Sequence, residues 1–251
     1  MPIRAITFDF WNTLYRDTQE GLSRVTELRM GVLREVAEGS GAAVAEDELA
    51  KAYRTGFEEY LRAWSERRQF GAHEHATHVL AALGVEVGDG LLTRTAARLE
   101  ELGSHSELAL LPGAAETILE LSRRGIKLGV ISDTGVTPGR VLAGFLKRDG
   151  LHGHFSTFTF SDATGYTKPD PRAFERTLAE LDTLPSEALH VGDLSRTDVA
   201  GALEAGMVAV RMAYKHDDDD PPAPHAVIRD HRELLPLLAV LGNGGGRRPP
   251  G

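Results

Sequence analysis

The first strand-like run of this chain is separated from every later one by about 85 residues of helical pattern. Ile3 to Phe8 is a short apolar run that stops at a polar cluster beginning with Asp9, which is typical of a buried strand. From Thr18 to Gly103, apolar residues recur at spacings of three and four, the period of a helix with one buried face. We therefore predict an all-helical segment inserted directly after the first strand.

After Pro112 and Gly113, helical segments alternate with short apolar runs. This alternation predicts an α/β fold, with a doubly wound parallel sheet covered by helices on both faces. We expect an α/β core from residues 1–16 and 107–241, a helical domain from 17–106, and a disordered tail over 242–251, where apolar residues are scarce. The predicted later strands are 127–131, 157–160, 188–191, 208–211 and 226–228.

Composition excludes several classes of function. The 251 residues carry 28 Lys and Arg against 37 Asp and Glu, a net charge of −9, so we expect neither nucleic acid nor an anionic membrane as a partner. The chain contains no Cys, which excludes disulfides, thiolate nucleophiles and Cys-ligated metals. The longest apolar stretch near the end is too short to span a bilayer, and the first residues do not resemble a secretory signal. We predict a cytoplasmic protein, either a monomer or a homodimer.

Polar residues follow four of the predicted strands. They are Asp9 within FDFWNTL, Ser132 within VISDTG, Lys168 within TKPDP, and the pair Asp193 and Asp198 within VGDLSRTD. Functional groups collect at the carboxyl edge of an open parallel sheet. A carboxylate, a hydroxyl donor, a cation and an acidic pair are the parts needed to handle a phosphate. Each has an ordinary alternative interpretation as a helix cap or turn, but their conjunction in this order favours a phosphate site.

These residues resemble the motifs of the haloacid dehalogenase-like hydrolase superfamily. That family begins with Asp-x-Asp-x-Thr, continues with a lone Ser or Thr and a Lys, and ends with Gly-Asp followed by a further Asp. The matching residues are Asp9, Thr13, Ser132, Lys168, Asp193 and Asp198. One subclass also carries a helical cap inserted after the first strand. The resemblance therefore implies a Rossmann-like core with an all-helical cap.

The resemblance also implies roles for these residues. Asp9 is expected to be the nucleophile that forms an aspartyl intermediate, Ser132 to donate to a phosphoryl oxygen, and Lys168 to hold the nucleophile and the developing negative charge. The implied cofactor is Mg²⁺, with Asp9, the carbonyl of Trp11 and Asp193 as ligands, and with Asp198 as a further ligand or a support. The substrate-binding residues that we expect are Asn12, Thr13, Ser132 and Asp133.

Trp11 departs from the family pattern. Phosphatases carry an acid/base Asp at this position, whereas an indole N–H can donate a hydrogen bond but cannot accept or transfer a proton usefully. Such acid/base help is worth typically ~10² to 10⁴ in rate, or roughly 3 to 5.5 kcal/mol of barrier. Phosphatase turnover is therefore expected to be slow. Asp133 is a weaker candidate for the base, because successive side chains of a strand point to opposite faces.

These residues are compatible with three functions. The leading hypothesis is a magnesium-dependent hydrolase of a small phosphorylated metabolite, because clustered carboxylates repel one another without a cation. The second is a 2-haloacid dehalogenase, since those enzymes carry an aromatic Tyr at the position of Trp11; against it, this chain retains Gly192 and Asp193 and has Asp-Thr-Gly after Ser132. The third is a non-catalytic relic that binds metal and phosphate and recruits a partner through its cap.

Residues of the helical segment receive structural interpretations. The string of residues 73–78, HEHATH, is expected to lie on a polar surface and not to bind zinc. The aromatic residues at helical spacing are expected to pack the core of the helical domain itself, with a place for some of them in the lining of the substrate cleft as the alternative: Tyr53, Phe57, Tyr60 and Trp64. The first predicted helix contains Arg24, Arg29 and Arg34, among which a dehalogenase would place a carboxylate clamp, but a solvated face is the expected role of these residues.

Overall fold

The computed structural model describes residues 2–214, 218 and 220–243. In that part of the chain, the strands are β1 (Ala5–Phe8), β2 (Tyr15–Arg16), β3 (Ala109–Leu110), β4 (Lys127–Ser132), β5 (Thr157–Phe160), β6 (Ala188–Gly192), β7 (Val208–Met212) and β8 (Ala226–Ile228). Six of them form one parallel sheet in the order β5-β4-β1-β6-β7-β8, and β2 pairs with β3 as an antiparallel ribbon. The predicted α/β fold with a parallel sheet is confirmed.

Helices fill the predicted helical segment and alternate with the later strands. The helical segment contains α1 (Gln19–Gly39), α2 (Glu46–Ser65), α3 (Ala72–Ala82) and α4 (Asp89–Glu101). The later helices are α5 (Ala114–Arg123), α6 (Gly139–Arg148), α7 (Ser161–Thr164), α8 (Pro171–Glu180), α9 (Ala200–Glu204) and α10 (Leu234–Asn243). Thr18 begins α1 because its hydroxyl accepts a hydrogen bond from the Gly21 amide at 3.0 Å, a side-chain cap for an otherwise unpaired amide.

Strand β1 lies inside the sheet and determines where the polar strand ends meet. Phe8, its last residue, pairs with Val130 of β4 and Val191 of β6. All four residues of β1 are buried, as expected for a strand covered on both faces. This register brings the residues that follow β1, β4 and β6 to one edge of the sheet.

The α/β part and the helical segment have separate apolar clusters. The cluster of the helical segment includes Leu33, Leu49, Val79 and Leu99, all of which are buried. The chain leaves the α/β part after β2 and returns at β3, where Tyr15 pairs with Leu110. The predicted domain boundaries, 16/17 and 106/107, lie next to this ribbon.

Two further predictions concern membrane-spanning segments and the disordered tail. None of the described helices is both long and apolar enough to cross a membrane. Helix α10 ends at Asn243, two residues inside the segment 242–251 that we predicted to be disordered, and residues 244–251 lie outside the described residues.

The predicted polar surface of the HEHATH string is wrong for His75. This side chain is only 1% exposed and packs edge-on against Tyr53 and Phe70, with ring centroids 4.8 and 6.4 Å apart. Burial, followed by the nearby charge of Arg29, lowers the pKa of His75 to about 4. The imidazole is therefore neutral at pH 7 and packs as an apolar ring against α2.

We expect the α/β core to depend on one face of α5. Leu121 is fully buried, whereas Leu119 on the same helix is 47% exposed. Leu121→Ala should reduce the free energy of unfolding by about 2 to 5 kcal/mol, because it leaves a cavity. Leu119→Ala is the matched control and should change it by no more than about 0.5 kcal/mol. Urea unfolding followed by circular dichroism measures both, and equal losses would contradict this assignment of the core.

Candidate active site

Lys168 joins two carboxylates that lie far apart in the sequence. Its Nζ donates to Asp9 Oδ1 at 2.5 Å and to Asp198 Oδ1 at 2.6 Å. All three side chains are almost completely buried. Lys168 follows the short helix α7, Asp9 follows β1, and Asp198 lies in the π-helical turn Ser195–Val199 after β6. The strand ends therefore bring together a carboxylate that can act as a nucleophile and an ammonium group that can neutralise an anion.

Asp198 is held by donors on every side. Its oxygens accept hydrogen bonds from Lys168, from the Leu194 amide at 3.1 Å and from Thr197 Oγ1 at 3.2 Å, and His190 Nε2 lies 3.2 Å away. Burial alone would raise the pKa of Asp198, but Lys168 and His190 hold it well below its usual range. Asp198 thus stays ionised and has no oxygen turned freely toward a metal.

Gly192 makes this arrangement sterically feasible. A Cβ atom at this position would lie 2.2 Å from Asp198 Cγ, a distance that two carbon atoms cannot adopt. The glycine of the Gly-Asp motif therefore allows the π-helical turn to fold back over the end of β6.

Asp9 and Asp193 have the opposite electrostatic character. Burial raises the pKa of Asp9 to about 7, with Lys168 opposing the shift and Asp198 adding to it. Burial and the neighbouring Asp9 and Asp198 charges raise the pKa of Asp193 to about 8. The cavity beside them has a volume of about 210 Å³, and its described lining contains four carboxylates and one ammonium group. The site is therefore short of positive charge.

Asp133 connects this edge of the sheet to the helical segment. Its Oδ1 accepts a hydrogen bond from the Lys168 amide at 2.9 Å, and its Oδ2 accepts one from Trp64 Nε1 at 2.9 Å. The guanidinium of Arg196 lies over the Trp64 ring, 3.8 Å from its centroid. These contacts tie the end of α2 to the residues that follow β4 and β6.

The structure corrects our interpretation of the aromatic stripe on α2. Tyr60 and Trp64 line the cavity beside Asp9 and Asp193, and Phe57 is 51% exposed, so these three do not pack the core of the helical domain. Tyr53 does pack against that core. The spacing of four between Tyr60 and Trp64 signals a shared face, but the sequence does not specify what that face contacts.

The remaining predicted site residues differ in their exposure to the cavity. Asn12, which has φ 54°, and Trp11 line it, so the indole forms a wall of the cavity without filling it. Ser132 is buried at the end of β4, and its hydroxyl donates to the Asp133 carbonyl at 3.1 Å. Thr13 is buried, and its hydroxyl has no hydrogen-bond partner among the described residues. Neither Ser132 nor Thr13 belongs to the cavity lining.

Comparison with known proteins finds a relative and solved structures that match almost the whole chain. A glyceraldehyde 3-phosphate phosphatase of Methanopyrus kandleri is 28% identical over 95% of this chain and 98% of its own length. The crystal structure of a 2-haloacid dehalogenase of Pseudomonas syringae is 26% identical, with a TM-score of 0.71 over 95% of this chain and 99% of that one. A magnesium-bound hydrolase of Bacillus subtilis, 22% identical with a TM-score of 0.63 over 95% and 99% of the two chains, shares the fold.

The family assignment rests on a match over most of the chain. The model of haloacid dehalogenase-like hydrolases matches residues 3–206, which include β1, the whole helical segment and the Gly-Asp motif after β6. The resemblance expected from the strand-end motifs is thereby confirmed: this chain belongs to the haloacid dehalogenase-like hydrolase family.

Proposed function

We propose that this protein hydrolyses phosphate monoesters through an aspartyl phosphate on Asp9. The observation that carries the proposal is the Lys168 ammonium buried between Asp9 and Asp198, beside a small cavity that Asp193 also lines. This arrangement offers a nucleophile, a fixed positive charge and an acidic pair around a space suited to a small anion. The phosphatase relative from Methanopyrus kandleri, which matches almost the whole chain, supports the same class of substrate.

The reaction requires two displacements at phosphorus. A carboxylate oxygen of Asp9 attacks the phosphorus of the ester, the bond to the ester oxygen breaks, and the alcohol leaves with a proton from water. A second water attacks the aspartyl phosphate at phosphorus, which releases inorganic phosphate and restores the carboxylate. Burial alone would lower the pKa of Lys168, but Asp198 and Asp9 raise it above the ordinary value. Lys168 therefore stays charged and stabilises the negative charge throughout the reaction.

Donor chemistry at the site fits magnesium. Among the described residues, no group of three or more His, Cys, Asp or Glu side chains is arranged to hold a metal ion. Mg²⁺, however, commonly binds through one or two carboxylates and keeps several waters. Asp9 and Asp193, whose raised pKa values reflect burial and repulsion by neighbouring carboxylates, would hold it together with the Trp11 carbonyl. The ion would supply positive charge to the transferring phosphoryl group.

Asp198 and Asp133 act as positioning residues in this proposal. The oxygens of Asp198 already accept several hydrogen bonds, so it fits the supporting role better than that of a metal ligand. Both oxygens of Asp133 accept N–H groups, one from the Lys168 backbone and one from Trp64. Asp133 therefore orients Lys168 and the cap rather than supplying a base.

One observation favours dehalogenation as a second candidate. Trp11 lines the cavity where phosphatases carry their acid/base Asp, and a halide leaves carbon without needing a proton. The structural similarity to a 2-haloacid dehalogenase is consistent with this chemistry. In this case Asp9 would attack carbon, and water would hydrolyse the resulting ester.

An activity assay separates the candidates. With Mg²⁺, the wild type should release phosphate from para-nitrophenyl phosphate, and Asp9→Asn should reduce the rate by roughly a thousandfold or more because it removes the nucleophile. Asp182→Asn is the matched control, since Asp182 is fully exposed, and should retain the rate. Chelator-insensitive halide release from 2-chloropropionate would support the dehalogenase instead, and silence in both assays would contradict both proposals.

Trp11→Asp tests what limits turnover. We expect it to raise kcat on an alkyl phosphate by roughly tenfold or more, because it restores a proton donor for the leaving alkoxide. Trp11→Asn is the matched control, since it opens the same space without a transferable proton, and it should give no such gain. Equal rates for the two variants would show that proton transfer is not what slows the reaction.

The shortage of positive charge predicts a pH-dependent stability. Without metal, the raised pKa values of Asp9 and Asp193 mean that the unfolded chain loses these protons first, so these two groups lower the free energy of unfolding as pH rises from about 4 to about 8. Buried His75, whose pKa is lowered from 6.5, acts in the opposite direction below that pH, so the fall should be measured between pH 6.5 and about 8. Asp193→Asn should flatten this fall, whereas Asp182→Asn should not. Thermal unfolding should also show a larger stabilisation by Mg²⁺ at pH 8 than at pH 5.5, because at low pH the ion must displace protons. Equal stabilisation at both pH values would contradict the assignment of these ligands.

A further inference from the structure

A larger cavity adjoins the catalytic one. It has a volume of about 570 Å³ and lies between α1, α2 and the core loop at Gly135–Thr137. Trp11 and Tyr60 line both cavities, so the two spaces meet at these rings. The remaining lining includes the apolar side chains Leu22, Val25, Met30 and Phe57, and also Arg29 and the exposed Arg54. This volume lies within the range of cavities that hold an organic ligand much larger than a three-carbon phosphate.

Arg29 gives this apolar cavity a buried positive charge. The residue is only 8% exposed, and it belongs to the cavity lining. Its Nε donates to the Leu99 carbonyl at 3.0 Å, and one terminal nitrogen donates to Thr137 Oγ1 at 2.8 Å. Both of these hydrogen-bond acceptors are neutral, and a guanidinium group has five N–H donors. Burial lowers the pKa of Arg29, and the nearby Tyr53 and Asp17 oppose this shift.

No carboxylate in the described part of the chain lies within 4.0 Å of the Arg29 nitrogens. Arg24 and Arg34, on the same helix, do form ion pairs, with Glu107 and Glu46 respectively. Asp17 also lines the cavity and its charge acts on Arg29, but its carboxylate lies beyond ion-pair distance, and its Oδ1 has no hydrogen-bond partner among the described residues. A buried charge without a carboxylate in direct contact is costly, so an anionic ligand that makes such a contact would be stabilised at Arg29.

We infer that the substrate is a phosphate ester of a long apolar alcohol that ends in a carboxylate. This inference rests on the proposed function: the phosphate lies beside Asp9, the apolar body passes between Trp11 and Tyr60 into the larger cavity, and the carboxylate pairs with Arg29. The apolar lining excludes water from that pair, which strengthens it. Arg29 is thereby a specificity-determining residue. From the sequence we predicted that Arg29 lies on the solvated face of its helix; this prediction is wrong, because the side chain is buried.

A series of synthetic esters tests this substrate class. The probes are phosphate esters of ω-hydroxyalkanoic acids of increasing chain length, each compared with the terminal amide of the same length. In the wild type, kcat/KM should increase with length to an optimum, where the acid should exceed its amide by roughly tenfold or more, the worth of a charged hydrogen bond. Arg29→Met should abolish this preference. Arg24→Met, the exposed matched control on α1, should preserve it.

A second variant keeps the test decisive if Arg29→Met fails to fold. Ala50 lines the larger cavity, so Ala50→Phe should lower kcat/KM for the long esters several-fold more than for para-nitrophenyl phosphate. Equal losses for the two classes of ester would overturn the inference.

Failure of this inference is distinguishable from failure of the proposed function. If the wild type hydrolyses para-nitrophenyl phosphate but does not discriminate acids from amides at any chain length, the substrate class is wrong and the phosphatase remains. If it hydrolyses no phosphate ester, the proposed function fails. Binding is then measured on Asp9→Asn with decanoate and decanamide, through the fluorescence of Trp11 and Trp64, the two tryptophans of the chain. Equal affinity for the two probes would overturn the anion site as well.

Discussion

The site depends on one buried ammonium group shared by two carboxylates. Lys168 lies between Asp9 and Asp198, and all three are removed from water. Loss of Lys168 would leave both buried carboxylates without their shared cation, which is far more costly than loss of an exposed ion pair. The contact also holds together the end of β1, the segment after α7 and the π-helical turn after β6. The position of the proposed nucleophile and the packing of these three segments therefore depend on the same interaction.

The helical segment reaches this centre through α2. Trp64 donates to Asp133, which accepts the backbone amide of Lys168, and Arg196 covers the Trp64 ring. Tyr60, one turn earlier, stands between the catalytic cavity and the larger apolar one. The face of α2 that closes the catalytic cavity thus also bounds the space that we assign to the organic part of the substrate.

The sequence predicted the positions of some site residues better than those of others. Asp9, Lys168 and Asp198 were selected because each follows a strand or a turn, and the parallel register brings them together. Ser132 was selected on the same grounds, yet its hydroxyl donates to the neighbouring carbonyl and lies outside the cavity lining. Its assignment as a phosphate donor remains a prediction. Local sequence specifies the end of a strand but not the rotamer of a hydroxyl at that end.

The sequence by itself determined the discontinuous α/β pattern, the parallel sheet and the order of the polar residues at its edge, because strand and helix periodicity are properties of neighbouring residues. The tertiary structure alone decided the roles of Trp64, His75 and Arg29. On a helix, an aromatic ring, an imidazole and a guanidinium have the same spacing whether they face water, a core or a cavity. What each side chain contacts depends on where α1, α2 and α3 pack against one another and against the sheet, and those contacts join residues far apart in the chain.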